Sequence, residues 1–269
     1  MQYNFLALDL DGTLTNSQKE ITYATKIAIR KYQNAGGIIV LASGRPDYGI
    51  LPIARVLELN DKGGYVMAYN GAKVIDCKAK ETIYNSVISP VYFNPIINFA
   101  NTYGVGIITY KDNYLIVNDE NNKFIREEQR INKMNIHQVD NLFDSINFPV
   151  NKFLLVGEEN HIKVVEENAK LEFQNSLSIC RSAPFFLEIT PKGVDKGKTL
   201  KWLIQRFDYN TDHLAACGDS YNDLTMLETA GYGIAMGNAQ QCVKDVASII
   251  VPTNDNDGVA WVIENKLLK

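Results

Sequence analysis

Asp9-Leu10-Asp11-Gly12-Thr13 directly follows the apolar run Phe5-Leu6-Ala7-Leu8. That order sets two carboxylates where a buried strand ends. Residues two apart on a strand point to the same side, so Asp9 and Asp11 arrive together. Gly12 then lets the chain turn sharply away. Two carboxylates held close repel each other, and burial raises the cost. A divalent cation relieves the repulsion, and Mg²⁺ favours one or two carboxylates plus phosphate oxygens. A carboxylate can also attack phosphorus and form an aspartyl-phosphate. Metal-assisted phosphoryl transfer is the chemistry these residues suit.

Three further polar clusters follow apolar runs. Ser43-Gly44-Arg45 comes after 38–42, Asn70-Gly71 after 65–69, and Gly218-Asp219-Ser220-Tyr221-Asn222-Asp223 after 214–217. In an open parallel sheet, ligands gather beyond the carboxyl ends of the strands. The Ser43 hydroxyl and the Gly44 N–H are suited to donate to phosphate oxygens without adding bulk. Asp219 and Asp223 add oxygens for a cation, although Asp223 also fits a helix N-cap. Lys192, Lys196 and Lys198 each offer a point charge that would separate a phosphate from a nucleophilic carboxylate. Arg45 reads either as a ligand-facing cation or as an ion-pair partner. Asn70 reads as a pocket wall or a loop former.

The elements that must position these residues alternate at first. Helical spacing covers 22–35 and is stopped by Gly36-Gly37; the continuous apolar run at 38–42 predicts a strand buried on both faces. A helix over 47–59 and a strand over 65–69 continue the pattern, which argues for a parallel sheet. After about residue 84 the rhythm changes to adjacent strand pairs, 106–110 with 114–118 and 178–181 with 185–189. Helices are expected at 91–103, 122–132 and 161–174. A helix over 197–207 and strands at 214–218, 233–236 and 248–251 restore the first rhythm. The expectation is an α/β chain with a doubly wound, mostly parallel, Rossmann-like core at 1–84 and 189–269. An inserted α+β cap domain would occupy 85–188.

The 46% hydrophobic and 22% charged residues suit a soluble globular chain. A net charge of -4 argues against nucleic-acid or anionic-membrane partners. Cys77, Cys180, Cys217 and Cys242 show no metal-ligand spacing and are expected to be reduced and mostly buried. Met1-Gln2-Tyr3-Asn4 does not fit a signal peptide, so a cytoplasmic location is expected. His137, His161 and His213 lie far apart and read as packing or solvated residues. Gly104-Val105-Gly106 lacks the third glycine and the following helix of a dinucleotide loop. The charged stretch 123–133 reads as the wet face of a helix.

Asp9-x-Asp11-Gly-Thr, Ser43-Gly-Arg, Lys196 and Gly218-Asp219-x-x-Asn222-Asp223, in this order, resemble the four motifs of the haloacid-dehalogenase-like superfamily. The insertion between the second and third motifs, with Asn70-Gly71-Ala72 ahead of it, resembles the Cof-type phosphatase subfamily. The resemblance implies Asp9 as nucleophile and Asp11 as general acid/base. It selects Lys196 among the lysines and implies Leu10, Ser43, Gly44, Lys196 and Asn222 as phosphate-binding residues. It implies Mg²⁺ as cofactor, held by Asp9, the Asp11 backbone carbonyl and Asp219, with Asp223 as ligand or orienter. The expected activity is hydrolysis of small phosphorylated metabolites such as sugar or cofactor phosphates. A phosphomutase on the same fold and a non-catalytic phosphometabolite-binding protein are the alternatives.

Overall fold

The computed structural model describes residues 2–269. The described strands are β1 (Phe5–Leu8), β2 (Ile38–Ala42), β3 (Tyr65–Ala68), β4 (Lys73–Asp76), β5 (Glu81–Asn85), β6 (Gly106–Lys111) and β7 (Tyr114–Val117). They continue as β8 (Asn135–Gln138), β9 (Phe153–Val156), β10 (Leu177–Ala183), β11 (Phe186–Pro191), β12 (Leu214–Gly218), β13 (Tyr232–Ala235) and β14 (Ile249–Ile250). They form one eight-stranded and one six-stranded sheet, and the chain divides into two compact units.

The first unit contains the residues up to Gly44, then Ile50–Tyr84 and Asp195–Lys269. Its sheet runs β14-β13-β12-β1-β2-β3-β4-β5. The pairs from β14 to β3 are parallel and β3–β4 is antiparallel. All four β1 residues are buried, as a parallel strand covered on both faces requires. The chain winds from β1 outward through β2 and β3, then returns to the other side of β1 as β12, β13 and β14. The strand order therefore reverses between β1 and β12, where α/β sheets open a ligand crevice.

The second unit contains Arg45–Gly49 and Asn85–Val194. Its sheet runs β10-β11-β9-β6-β7-β8, antiparallel except for β7–β8. One face carries Ile107, Phe153, Leu155, Leu187 and Ile189 in a core shared with the helices Phe93–Thr102 and Glu159–Phe173. Side-chain alternation turns Tyr110, Lys152 and Glu188 to the other face. There a buried charge network forms: Tyr110 Oη donates to Glu128 Oε1 at 2.7 Å and Lys152 Nζ to Glu188 Oε1 at 3.0 Å. Burial raises the Glu128 pKa, opposed by the nearby Lys152 and the Tyr110 hydroxyl.

Several expected elements differ in extent. The expected helix 47–59 divides into Asp47–Val56 and Leu59–Lys62, because Glu58 takes a left-handed conformation at φ 58. The expected strand 65–69 stops at Ala68, since Tyr69 and Asn70 turn at φ 53 and 55. The last strand shortens to two residues. β4, β5, β8 and β9 are absent from the sequence reading. Cys77 and Cys217 are buried, but Cys180 is exposed and Cys242 half-buried, so only half of the thiols sit as expected. No helix among the described residues is long and apolar enough to cross a membrane.

The helix Lys196–Gln205 lies close against the segment Tyr221–Thr229. A Cβ at position 197 would stand 2.1 Å from the Thr225 carbonyl oxygen, so only glycine permits this approach. The Gly197 N–H also donates to Thr225 Oγ1 at 3.3 Å. Gly197→Ala is expected to destabilise the protein by about 1–3 kcal/mol, as overpacking does, and to displace the adjacent Lys196. Thermal melting checks the first effect, and an unchanged melting temperature would show that the helix has room to move.

Candidate active site

Asp9 emerges from β1 between two neighbouring strand ends, because Leu8 is in register with Cys217 and Leu41. Its N–H donates to the Cys217 carbonyl at 3.1 Å, extending the β1–β12 ladder by one rung. Gly12 then turns at φ +86, and a Cβ there would lie 2.4 Å from Asp219 Oδ2. This glycine serves both the turn and the close approach of Asp219. Thr13 Oγ1 donates to Asp219 Oδ1 at 2.7 Å, tying the turn to the end of β12.

Lys196 is the first residue of its helix, which Asp195 caps by accepting from the Lys198 N–H at 2.8 Å. Its side chain is fully buried, and Nζ donates to Asp9 Oδ1 and Asp223 Oδ1, both at 2.6 Å. Neither Lys192 nor Lys198 makes this contact: they engage the Gln174 carbonyl and Asp195. The other Asp223 oxygen accepts the backbone N–H groups of Asp219 and Ser220, each at 3.0 Å. Both oxygens of Asp223 are therefore engaged by the lysine and by the turn that it closes.

Asp9, Asp219 and Asp223 each offer an oxygen within 4.8 Å of the others. Three acids facing one buried ammonium leave an excess of negative charge. Burial, then Asp223 and Asp219, hold the Asp9 carboxyl well above the usual carboxylate range, against the pull of Lys196. Burial likewise pushes Asp219 up to about 6, with Thr13 opposing and Asp223 adding to the shift. Burial acts to lower Lys196, but Asp223 and Asp9 outweigh it and keep the ammonium charged. A cluster of hard oxygen donors carrying unrelieved charge has the chemistry of a Mg²⁺ site.

Ser43 follows β2 and is buried; its N–H donates to the Met67 carbonyl at 2.9 Å, and its carbonyl accepts from the Asn70 N–H at 2.9 Å. Asn222 Nδ2 donates to Asn70 Oδ1 at 3.0 Å, so the clusters after β3 and β12 meet. Thr199 Oγ1 donates to the Gly71 carbonyl at 3.0 Å, joining the lysine helix to the same loop. The Leu10 side chain is buried, and its carbonyl accepts from the Thr15 N–H and Oγ1, both at 2.9 Å. Asp11 is more open and pairs with Lys19 at 2.8 Å.

Asp9, Asp11, Lys196, Asp219, Asn222 and Asp223 thus belong to one unit, with Ser43 and Gly44. Arg45 groups with the second unit, where Nη1 donates to the Ile131 carbonyl at 3.4 Å. Thr13 and Lys19 carry no role in the sequence reading. Thr13 lies inside the first motif, two residues beyond Asp11, so its position was a usable signal; no periodicity marks Lys19. His161 and His213 contact backbone carbonyls, and His137 stacks edge-on with Tyr114.

Comparison with known proteins gives the family. Residues 6–263 match the family model of haloacid dehalogenase-like hydrolases. A haloacid dehalogenase-like hydrolase from Bacteroides thetaiotaomicron superposes with a TM-score of 0.92 at 39% identity, covering 97% of this chain and 98% of that one. The pyridoxal phosphate phosphatase of Escherichia coli is 27% identical over 100% of both chains. A 5-amino-6-(5-phospho-D-ribitylamino)uracil phosphatase of Bacillus subtilis is 27% identical over 98% of this chain and 95% of its own. With the acid cluster, the buried lysine and the strand order all in place, the chain belongs to the haloacid dehalogenase-like hydrolases.

Proposed function

We propose that the protein is a Mg²⁺-dependent phosphatase that hydrolyses small phosphorylated metabolites through an aspartyl-phosphate on Asp9. The observation that carries this reading is the fully buried Lys196 bridging Asp9 and Asp223 beside Asp219. A nucleophile needs its charge held in place, and a phosphoryl group needs positive potential around its equatorial oxygens. The phosphatase relatives act on a cofactor phosphate and a ribityl phosphate, which supports sugar and cofactor phosphates as the substrate class. The four free thiols support a cytoplasmic location.

In this mechanism the Asp9 carboxylate attacks phosphorus in line, the ester P–O bond breaks, and Asp11 gives a proton to the leaving oxygen. Asp11 then takes a proton from water, which attacks the aspartyl-phosphate and returns Asp9 with free phosphate. Ser43, Gly44, the Leu10 backbone, Lys196 and Asn222 hold the phosphoryl oxygens. Asp9, Asp219 and the Asp11 backbone carbonyl would hold Mg²⁺. Bound there, the ion neutralises the acid cluster and favours the ionised nucleophile. Asp223 has both oxygens engaged, so its part is to orient Lys196 and the 219–220 turn. The domain division 1–84 and 189–269 around 85–188 belongs to the same reading.

Asp9→Asn is expected to lower phosphate release by roughly 10³-fold or more while the protein remains folded, since shape and volume are kept. Phosphate release separates hydrolysis from a mutase reaction. Full activity in the variant would end this mechanism.

The raised acids give a second expectation. Asp219 titrates near 6 in the folded protein against 3.8 ordinarily, and Asp9 shifts the same way. Between those values the folded state holds protons that the unfolded chain has released, so stability grows as pH falls. In chelator, the melting temperature is expected to rise by several degrees from pH 7.5 to 5.5. Added Mg²⁺ should stabilise most at pH 7.5 and remove that slope. A melting temperature that falls over this interval in chelator would contradict the charge balance described.

A further inference from the structure

Residues 16–20 form a tight turn just beyond the first motif. Asn16 Oδ1 accepts the N–H groups of Gln18 at 3.1 Å and Glu20 at 2.9 Å, while the Lys19 N–H donates to the Asn16 carbonyl at 2.9 Å. Lys19 takes the left-handed conformation at φ 63, which residues with long side chains rarely adopt. The turn is anchored from outside as well. The Ser17 N–H and Oγ donate to the two carboxylate oxygens of Asp255, both at 2.7 Å. Asn254 Nδ2 donates to the Thr15 carbonyl at 2.9 Å.

An unfavourable backbone conformation persists only where its surroundings enforce it, and here they aim one ammonium. Lys19 Nζ lies 2.8 Å from Asp11 Oδ1, with the two side chains 53% and 35% exposed. A pair this open adds little to stability, because water screens it. Its consequence lies in where it holds the Asp11 carboxylate. Asp11 lacks the enclosure that fixes Asp9 and Asp223, so Lys19 supplies a tether that burial does not. Lys19 also lines a cleft of about 390 Å³ with Ile21, Lys26 and Ile53.

We propose that Lys19 is a positioning residue that holds the Asp11 carboxyl group through Oδ1, so that a proton carried on its other oxygen is delivered to the leaving oxygen. It acts through Asp11 and touches no reacting atom. The inference rests on the phosphatase reading, in which Asp11 is the acid.

The test compares phenyl phosphate with p-nitrophenyl phosphate, two esters of similar shape. The p-nitrophenolate leaves without help, whereas the more basic phenolate needs a proton. Lys19→Met keeps the stem and removes the ammonium; Lys19→Arg restores a cation. In the Mg²⁺-loaded enzyme, Lys19→Met is expected to lower kcat/KM about tenfold for phenyl phosphate, part of what general-acid catalysis supplies. The loss for p-nitrophenyl phosphate should stay under about twofold, since that ester bypasses the acid. Lys19→Arg should recover most of the difference. Equal losses on both esters, no loss on either, or no recovery with arginine would overturn the positioning role. If Asp9→Asn retains full turnover, the phosphatase reading fails and this inference fails with it. If Asp9→Asn is inactive while Lys19→Met loses equally on both esters, only the positioning role is lost.

Discussion

The Lys196 ammonium is the only cation hydrogen-bonded within the Asp9, Asp219 and Asp223 cluster among the described contacts, and the surrounding structure is arranged to keep it there. A buried charge without a partner is very costly, and a buried pair is favourable only with good geometry. The geometry comes from several places at once. β1 delivers Asp9, the turn Tyr221–Asp223 after β12 delivers Asp223, and Gly197 lets the lysine helix approach the Thr225 backbone closely. Asp223 serves two masters, with one oxygen on the lysine and the other on two backbone N–H groups. Changing any of these pieces moves the charge that the others were placed to meet.

Chemically identical side chains differ here in what surrounds them. Asp9 is 6% exposed and locked to a lysine, whereas Asp11, two residues on, faces outward to a half-exposed one. A fixed group is suited to attack, and a more open one is suited to exchange protons with a leaving group and with water. Strand alternation alone would have set both on one side. β1 ends at Leu8, ahead of both residues, and the two side chains meet different partners.

Much of this was legible in the residues. Apolar runs ending in polar clusters located β1, β2, β3 and β12, and the ordered motifs selected Lys196 over its neighbours. Hairpin-like pairs after residue 84 were legible too, since β6–β7 and β10–β11 form as antiparallel pairs. The missed strands were short: Lys73–Asp76 has only two apolar residues, and Phe153–Val156 is an apolar run of four. Helix breaks depend on single left-handed residues such as Glu58, which no spacing announces. The tie of Asn222 to Asn70 spans 152 positions and is invisible to any local pattern. The same holds for the raised pKa values of Asp9 and of Asp219, which arise from burial that only the folded chain creates.

The five residues Arg45–Gly49 group with the second unit although they stand far ahead of its main segment in the chain. A Cβ at Gly49 would lie 2.4 Å from Asn132 Oδ1, a buried oxygen with no hydrogen-bond partner, and Arg45 reaches the carbonyl of Ile131. The inserted piece is therefore not a self-contained cassette. Transplanting residues 85–194 into another scaffold would leave behind Arg45–Gly49, which pack against the end of the helix Lys123–Asn132, and would bare a polar atom that those residues kept covered. Exchange of this insert for another, by design, has to carry the short stretch after Ser43-Gly44 along with it. The five residues that directly follow Ser43-Gly44 are thus inherited together with a segment that begins forty positions later.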